Sequence, residues 1–154
     1  MSNVSSPNPT TTAVAKDFIS VVTRVMKNSS APMVAFAEQY DLSFTQIKLM
    51  FALSNLDEAQ PIGRLAEMTG SSLPSMGRAV DGLVRHGLAT RTEDASDRRV
   101  KRIEPTELGA SSMDAIYEKR VNTLSEILDQ LSSDQVDALA SALEPLKPET
   151  EAGR

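Results

Sequence analysis

Cysteine is absent from the 154 residues, which excludes disulfides, thiolate metal sites and thiol redox switches. Histidine occurs once, as His86, so there is no histidine pair for a metal and no second histidine for a catalytic triad. No run approaches the roughly 20 apolar residues that a bilayer span requires. The N-terminal MSNVSSPNPTTTAVAKD lacks the apolar centre of a secretory signal. Gly-rich phosphate loops and nucleophile elbows are missing. The carboxylate pairs Glu93/Asp94 and Asp94/Asp97 fall on what reads as a solvated turn. These absences predict a cytoplasmic, non-enzymatic protein with no metal, no cofactor and no membrane association.

Hydrophobic residues make up 40% of the chain and charged residues 24%, ordinary for one compact domain or a small module with flanking segments. The net charge of −5 argues against a polyanionic partner only until it is divided. Residues 61–104 hold eight basic against six acidic side chains, a net of +2, and the remainder carries −7. A polyanion responds to that distribution, not to the sum.

Residues 1–9 are rich in Ser, Asn and Pro and read as a disordered tail. From about Thr10 to Ser30, Val14, Phe18, Val21, Val22, Val25 and Met26 follow helical spacing. Pro32 punctuates, and a short helix from Met33 to about Tyr40 follows. Ser43-x-x-Gln46 has the form of a capping box. It opens a helix to about Leu56 that is apolar nearly all round and therefore central.

After a turn over Asn55–Pro61, Ile62, Leu65, Ala66 and Met68 make a short amphipathic helix closed by Gly70. Ser71-Ser72 then supplies a hydroxyl cap, Pro74 sits in a first turn where it is tolerated, and Gly87 ends a second helix. Alternating residues on both sides of the polar loop Glu93–Asp97 predict a two-stranded hairpin, its second strand starting at Arg99. A long helix after Pro105-Thr106 runs to about Leu131. A second capping box, Ser132-x-x-Gln135, opens a last helix stopped by Pro145 and Pro148. The fold class expected is mainly α with a small β-hairpin: a winged helix-turn-helix flanked by N- and C-terminal helices.

At about 100° per residue, Leu73, Met76, Val80, Leu83 and Val84 share one face of the second helix. Pro74, Ser75, Arg78, Asp81, Gly82 and Arg85 take the other. Short polar groups near the N-terminus and a long Arg beyond them suit a helix that enters a major groove, where Arg78 can reach a guanine edge or a phosphate. An amphipathic helix with Arg outward is also what any surface helix looks like. Two interior glycines, Gly77 and Gly82, weigh against that bland reading, since each costs ~1 kcal/mol relative to Ala. Close approach to DNA explains them, as does packing, especially for Gly77 at the edge of the core face. At the hairpin, Asp97-Arg98-Arg99 places an Arg where it can enter a narrow minor groove, with Asp97 able to orient Arg99. The competing reading there is a mixed-sign solvated turn. Single aromatic and Met residues such as Phe18, Met33, Phe36, Tyr40 and Phe51 are equally what a helical core needs.

The stretch from Pro61-Ile62-Gly63-Arg64-Leu65-Ala66-Glu67 through Gly70 to Leu88, followed by Asp94-Ala95-Ser96-Asp97-Arg98-Arg99 and Thr106-Glu107-Leu108-Gly109, resembles the MarR family of bacterial transcriptional regulators. The likeness extends over roughly residues 10–146. It implies a triangular homodimer with interlocked terminal helices and one winged module per subunit. Ser72, Pro74, Ser75 and Arg78 then fall at recognition-helix positions, and Arg99 at the wing arginine with Asp97 in support. Together with Ser71, Arg85 and Arg98 these are the candidate contacts to double-stranded DNA. Two departures stand out: Gly77 replaces a usual hydroxyl residue, and Pro105 replaces the usual Leu before Thr106. The resemblance further implies release by a small aromatic or phenolic effector, in a pocket drawing on Phe18, Met33, Phe36, Tyr40 and Phe51.

The division expected is a tail at 1–9, N-terminal dimerisation helices at 10–42 and the winged module at 43–104, with its reading head at 61–104. C-terminal dimerisation helices at 105–146 and a polar tail at 147–154 complete it. The first and last helices carry more apolar surface than so small a module can cover, which independently favours an isologous dimer. The expectation is a MarR-type regulator, a repressor on a pseudo-palindromic site. The alternative is a winged-helix adaptor whose basic module binds a protein.

Overall fold

A computed structural model describes residues 8–147, so the tails expected at 1–9 and 147–154 fall almost wholly outside them. The first helix, α1, spans Pro9–Asn28 and is capped by the Asn8 side chain, which accepts from Thr10 N at 2.9 Å. It therefore starts inside the segment read as tail. Helix α2 (Ala31–Gln39) begins before Met33, with Pro32 in its first turn, where its missing N–H costs nothing. Helix α3 (Phe44–Ser54) opens on the expected capping box: Gln46 N donates to the Ser43 hydroxyl, and Ser43 N donates to Gln46 Oε1 at 2.8 Å. Leu49, Met50 and Leu53 of α3 are fully buried, which makes it the central helix.

Helix α4 (Ile62–Thr69) ends at Gly70, whose φ of 61° is the left-handed C-cap conformation that glycine adopts without penalty. Lys48 of α3 donates to Thr69 O at 2.6 Å, setting a cation on the carbonyl end of α4. Helix α5 (Leu73–Arg85) starts at Ser72, whose hydroxyl accepts from Ser75 N, and the chain leaves it through Gly87 at φ 67°.

The sheet has three strands, not the two expected. Strand β1 (Gln60–Pro61) pairs antiparallel with β3 (Lys101–Pro105), which pairs in turn with β2 (Ala89–Glu93). The register sets Gln60 opposite Ile103 and Arg91 opposite Ile103 from the other side. A two-residue strand has no periodicity, so only its partner reveals it. Arg99 lies in the turn, since β3 begins at Lys101. Pro105, which has no N–H to give, closes β3 opposite Ala89.

Helix α6 (Glu107–Leu128) stops short of Leu131, and α7 (Ser133–Leu143) opens on the second capping box. A 3₁₀ turn over Glu144–Leu146 contains Pro145. Leu65, Met76, Val80, Leu83, Leu88, Ile103, Met113 and Ile116 close around α3 as one core.

Two faces of α5 differ from the wheel. Leu73, the first residue of α5, is 58% exposed. Gly82, placed outward by angle, is buried: a Cβ there would stand 2.1 Å from Gln46 Nε2. Around Gly77 nothing lies within 4 Å of such a Cβ, so packing does not require that glycine. The pair makes a direct test. Gly77→Ala is expected to raise the urea midpoint, by about 0.5–1 kcal/mol of helix propensity. Gly82→Ala forfeits that gain, because Gln46 must leave its capping box to make room, at a cost of about 1 kcal/mol. Equal gains from both variants would contradict this assignment.

Candidate nucleic-acid interface

Helix α5 carries Arg78 on the surface, nearly two turns beyond the Ser72 cap. Arg78, Asp81, Val84 and Arg85 of the helix line one open concavity together with Arg91 of β2. Arg91 donates to Asp81, an ion pair that ties β2 to α5. Neither partner of that bridge stood out in the sequence, since ten residues and a turn separate them. Among the described residues Arg78, Arg85 and Arg98 have no ion-pair partner, so their charge is uncompensated at short range.

Of the four short residues expected at the helix start, Ser72 caps α5, and Ser75 supplies the capped N–H. Pro74 is exposed, and Ser71 closes α4 by donating its N–H to Ala66 O at 2.9 Å. The first turn of α5 thus presents small side chains beside backbone N–H groups, and the helix dipole is positive there.

At the wing tip Asp97 and Arg99 meet as anticipated. Asp97 Oδ1 accepts from Arg99 N at 3.0 Å and from Nε at 3.1 Å, and Oδ2 accepts from the guanidinium at 3.3 Å. The Arg99 side chain is nevertheless 92% exposed. It is held in direction while its outer face stays open. Pairing with Arg99 holds the Asp97 carboxyl below the ordinary carboxylate range.

Asp94 is a correction. It reads as part of a solvated turn, yet it is 8% exposed and sits beneath the wing loop. It accepts hydrogen bonds from the Ser96 hydroxyl, from Ser96 N at 2.8 Å, from Asp97 N at 3.2 Å and from Arg102 Nε. Those bonds, Ser96 first and Arg102 next, hold its carboxyl far below the usual range. Arg102 continues to Ala59 O at 2.9 Å, and Lys101 pairs with Glu93 at 2.7 Å. Two of the cations counted in the basic segment are therefore spent inside the wing. The Asp-x-Ser spacing, an Asx-turn signal, was the available hint.

The five residues suggested for an effector pocket occupy separate settings. Phe36 is buried in the core and meets Tyr40 edge-on at 5.3 Å, and Tyr40 meets His86 at 5.9 Å. Met33 packs against the core, and Phe18 is 53% exposed on α1. Phe51 lies under Arg120, 5.0 Å from the ring centre, in a cavity of about 120 Å³ with Met113 and Tyr117. One chain does not gather them around a single space. His86 caps the end of α5, and the described residues contain no cluster of three or more metal-ligating side chains.

Residues 40–100, from the end of α2 to the wing loop, match the model of the MarR family. Over these residues the chain is similar to the MarR family. The fold of the whole chain is shared with solved structures. The transcriptional regulator Tm0710 of Thermotoga maritima superposes with a TM-score of 0.72 at 18% identity, over 88% of this chain and 92% of that one. RV1404 of Mycobacterium tuberculosis gives 0.66 at 22% identity, over 95% and 100%. MepR of Staphylococcus aureus, a transcription regulator of the multidrug efflux pump MepA, gives 0.63 at 18% identity, over 86% and 94%. MepR has also been solved with ethidium bromide, and a variant of it with an oligodeoxyribonucleotide. At such identities the likeness establishes a shared fold. A winged helix-turn-helix, the fold shared with these structures, is the architecture in which Arg78 and Arg99 are displayed.

Proposed function

We propose that this protein is a MarR-type transcriptional regulator that binds a pseudo-palindromic duplex site as a homodimer, acting as a repressor released by a small ligand. The observation that carries the reading is Arg99. A long side chain held by two hydrogen bonds at a wing tip, with a third from its own backbone N–H, yet almost wholly exposed, is organised for something outside the chain. Arg78 and Arg85 on the neighbouring helix add positive charge without local compensation. A base-edge contact from Arg78, a phosphate contact from Arg85 and a minor-groove contact from Arg99 match the charge and shape of a duplex.

The dimer rests on apolar surface that one chain leaves open. Helix α1 buries a single residue, Val25, and exposes Val14, Phe18, Val21, Val22 and Met26. Helix α7 buries none, and Tyr117, Val121 and Leu124 lie open on α6. A twenty-residue helix with so little cover within its own chain gains its stability elsewhere. In this reading 10–42 and 105–146 hold two copies of module 43–104 one helical turn apart. Ligand release rests on the MarR resemblance and on the ethidium complex of MepR, with a small aromatic or phenolic compound as the effector.

Fluorescence anisotropy with duplexes over a salt series tests the reading. Log affinity should fall linearly with log salt, by about 0.9 per neutralised phosphate. Arg99→Ala should weaken binding to every sequence. Arg78→Ala should cost about 1–3 kcal/mol and also relax discrimination at particular bases. Equal losses from both with unchanged preference would contradict the two roles. Failure of every duplex to bind at low salt would favour the adaptor reading, in which the module holds a protein.

A further inference from the structure

The MarR resemblance assigns no role to Asp94, and its burial beneath an otherwise exposed loop calls for an explanation. A carboxylate offers about four lone-pair sites, and here four donors from three residues meet it: Ser96 and Asp97 supply three to Oδ1, and Arg102 Nε supplies one to Oδ2. Two of the donors are the backbone and side chain of the loop's own Ser96, and a third is the backbone of Asp97, the residue that grips Arg99. The fourth, Arg102, comes from β3 and is itself anchored on Ala59 O, at the turn before β1. Two backbone bonds shut the same loop: Asp94 N donates to Val100 O at 3.0 Å, and Val100 N donates to Asp97 O at 2.9 Å.

The arrangement is two turns in series. Asp94 orders residues 94–97 and fastens them to the body of the module, and Asp97, standing on that ordered segment, orders Arg99. We propose that Asp94 is a positioning residue of the wing: it sets the direction of Arg99 through the backbone of Asp97, and Arg102 is the strut that couples this setting to the sheet. Arg102 is thereby withdrawn from the ligand-facing cations, and Arg98 and Arg99 are the ones the wing offers. The inference rests on the DNA-binding reading for its functional consequence, but not for its structural content.

The test is a double-mutant cycle on the full chain with a duplex probe, paired with amide exchange on the free protein. Asp94→Asn keeps the shape and replaces one acceptor oxygen with a donor, so it sets N–H against N–H. Affinity should fall about tenfold, the scale of one charge-assisted bond. The Asp94→Asn/Arg99→Ala double variant should bind like Arg99→Ala alone, because Asp94 acts only through Arg99. A purely structural role predicts instead that the two losses multiply. In the free protein the Ser96 and Asp97 amides should exchange at least about tenfold faster in Asp94→Asn while the core helices stay protected. Parent-like affinity, multiplying losses or unchanged exchange of those two amides would each overturn the proposal. If Asp94→Asn does not fold, Ser96→Ala removes a single donor and should show the same non-additivity at smaller size, and multiplying losses there would be equally fatal. If the parent binds no duplex, the DNA reading falls by itself, and the amide exchange still decides the clamp.

Discussion

Phe18→Glu is expected to leave the chain monomeric and to lower its affinity for a two-half-site duplex by about 10²–10³, the factor lost when two linked modules act singly. Phe18 is 53% exposed in the middle of α1, on the face shared by Val14, Val21 and Val22. In an isologous interface each substitution enters twice. The variant therefore removes two aromatic rings, each contributing about 1.5–3 kcal/mol of burial, and leaves two carboxylates to be desolvated without partners. Unpaired buried charge costs several kcal/mol per ion. The winged module should be indifferent, because its core of Leu49, Met50, Leu65, Met76, Leu83 and Ile103 contains nothing from α1. Sedimentation at micromolar concentration reads the first effect and a melting curve the second. A dimer mass retained by Phe18→Glu would remove the proposed interface. Full-affinity binding by a monomer would remove the argument that spacing between heads matters.

The second large effect is expected at Gly109, where α6 meets the root of the wing. A Cβ at this position would stand 2.1 Å from Leu88 O, 3.1 Å from the Leu88 carbonyl carbon and 3.2 Å from Met50 Cε. The same Leu88 carbonyl accepts from Thr106 N at 3.1 Å. The Thr106 hydroxyl donates to Gly87 O at 2.7 Å and accepts from Gly109 N at 3.0 Å. The two tightest contacts are with backbone, which cannot swing away as the Gln46 side chain can at Gly82. Gly109→Ala must push α6 off the wing root and loosen the Thr106 cap with it. Overpacking of this kind costs about 1–3 kcal/mol, with loss of the cap adding about 1 kcal/mol. For a chain of this size the melting temperature should fall on the order of 10 °C. A change within about 2 °C would show that the junction relaxes more easily than its geometry implies.

Local chemistry was legible in the chain. Both capping boxes, the left-handed closures at Gly70 and Gly87, the Ser72 cap and the Asp97–Arg99 pair depend on residues two or three positions apart. Such pairs meet whenever the backbone takes the conformation their types favour, so spacing alone identifies them. The amphipathic stripes of α4 and α5 followed for the same reason, as did the order of helices, turn and wing.

Short-range spacing therefore accounts for the series of helices and the hairpin, several of their caps and the direction of one arginine. The tertiary structure decided what depended on residues far apart. Strand β1 exists because Gln60 finds Ile103, more than forty positions on. Gly82 is buried because α5 crosses the capping box of α3 there, and Arg91 is held because β2 returns beside Asp81. Asp94 leaves the surface because Arg102 reaches back over it to Ala59. Each of these is a contact whose loop-closure cost is met by the packing of the whole module. No window of neighbouring residues carries a record of it.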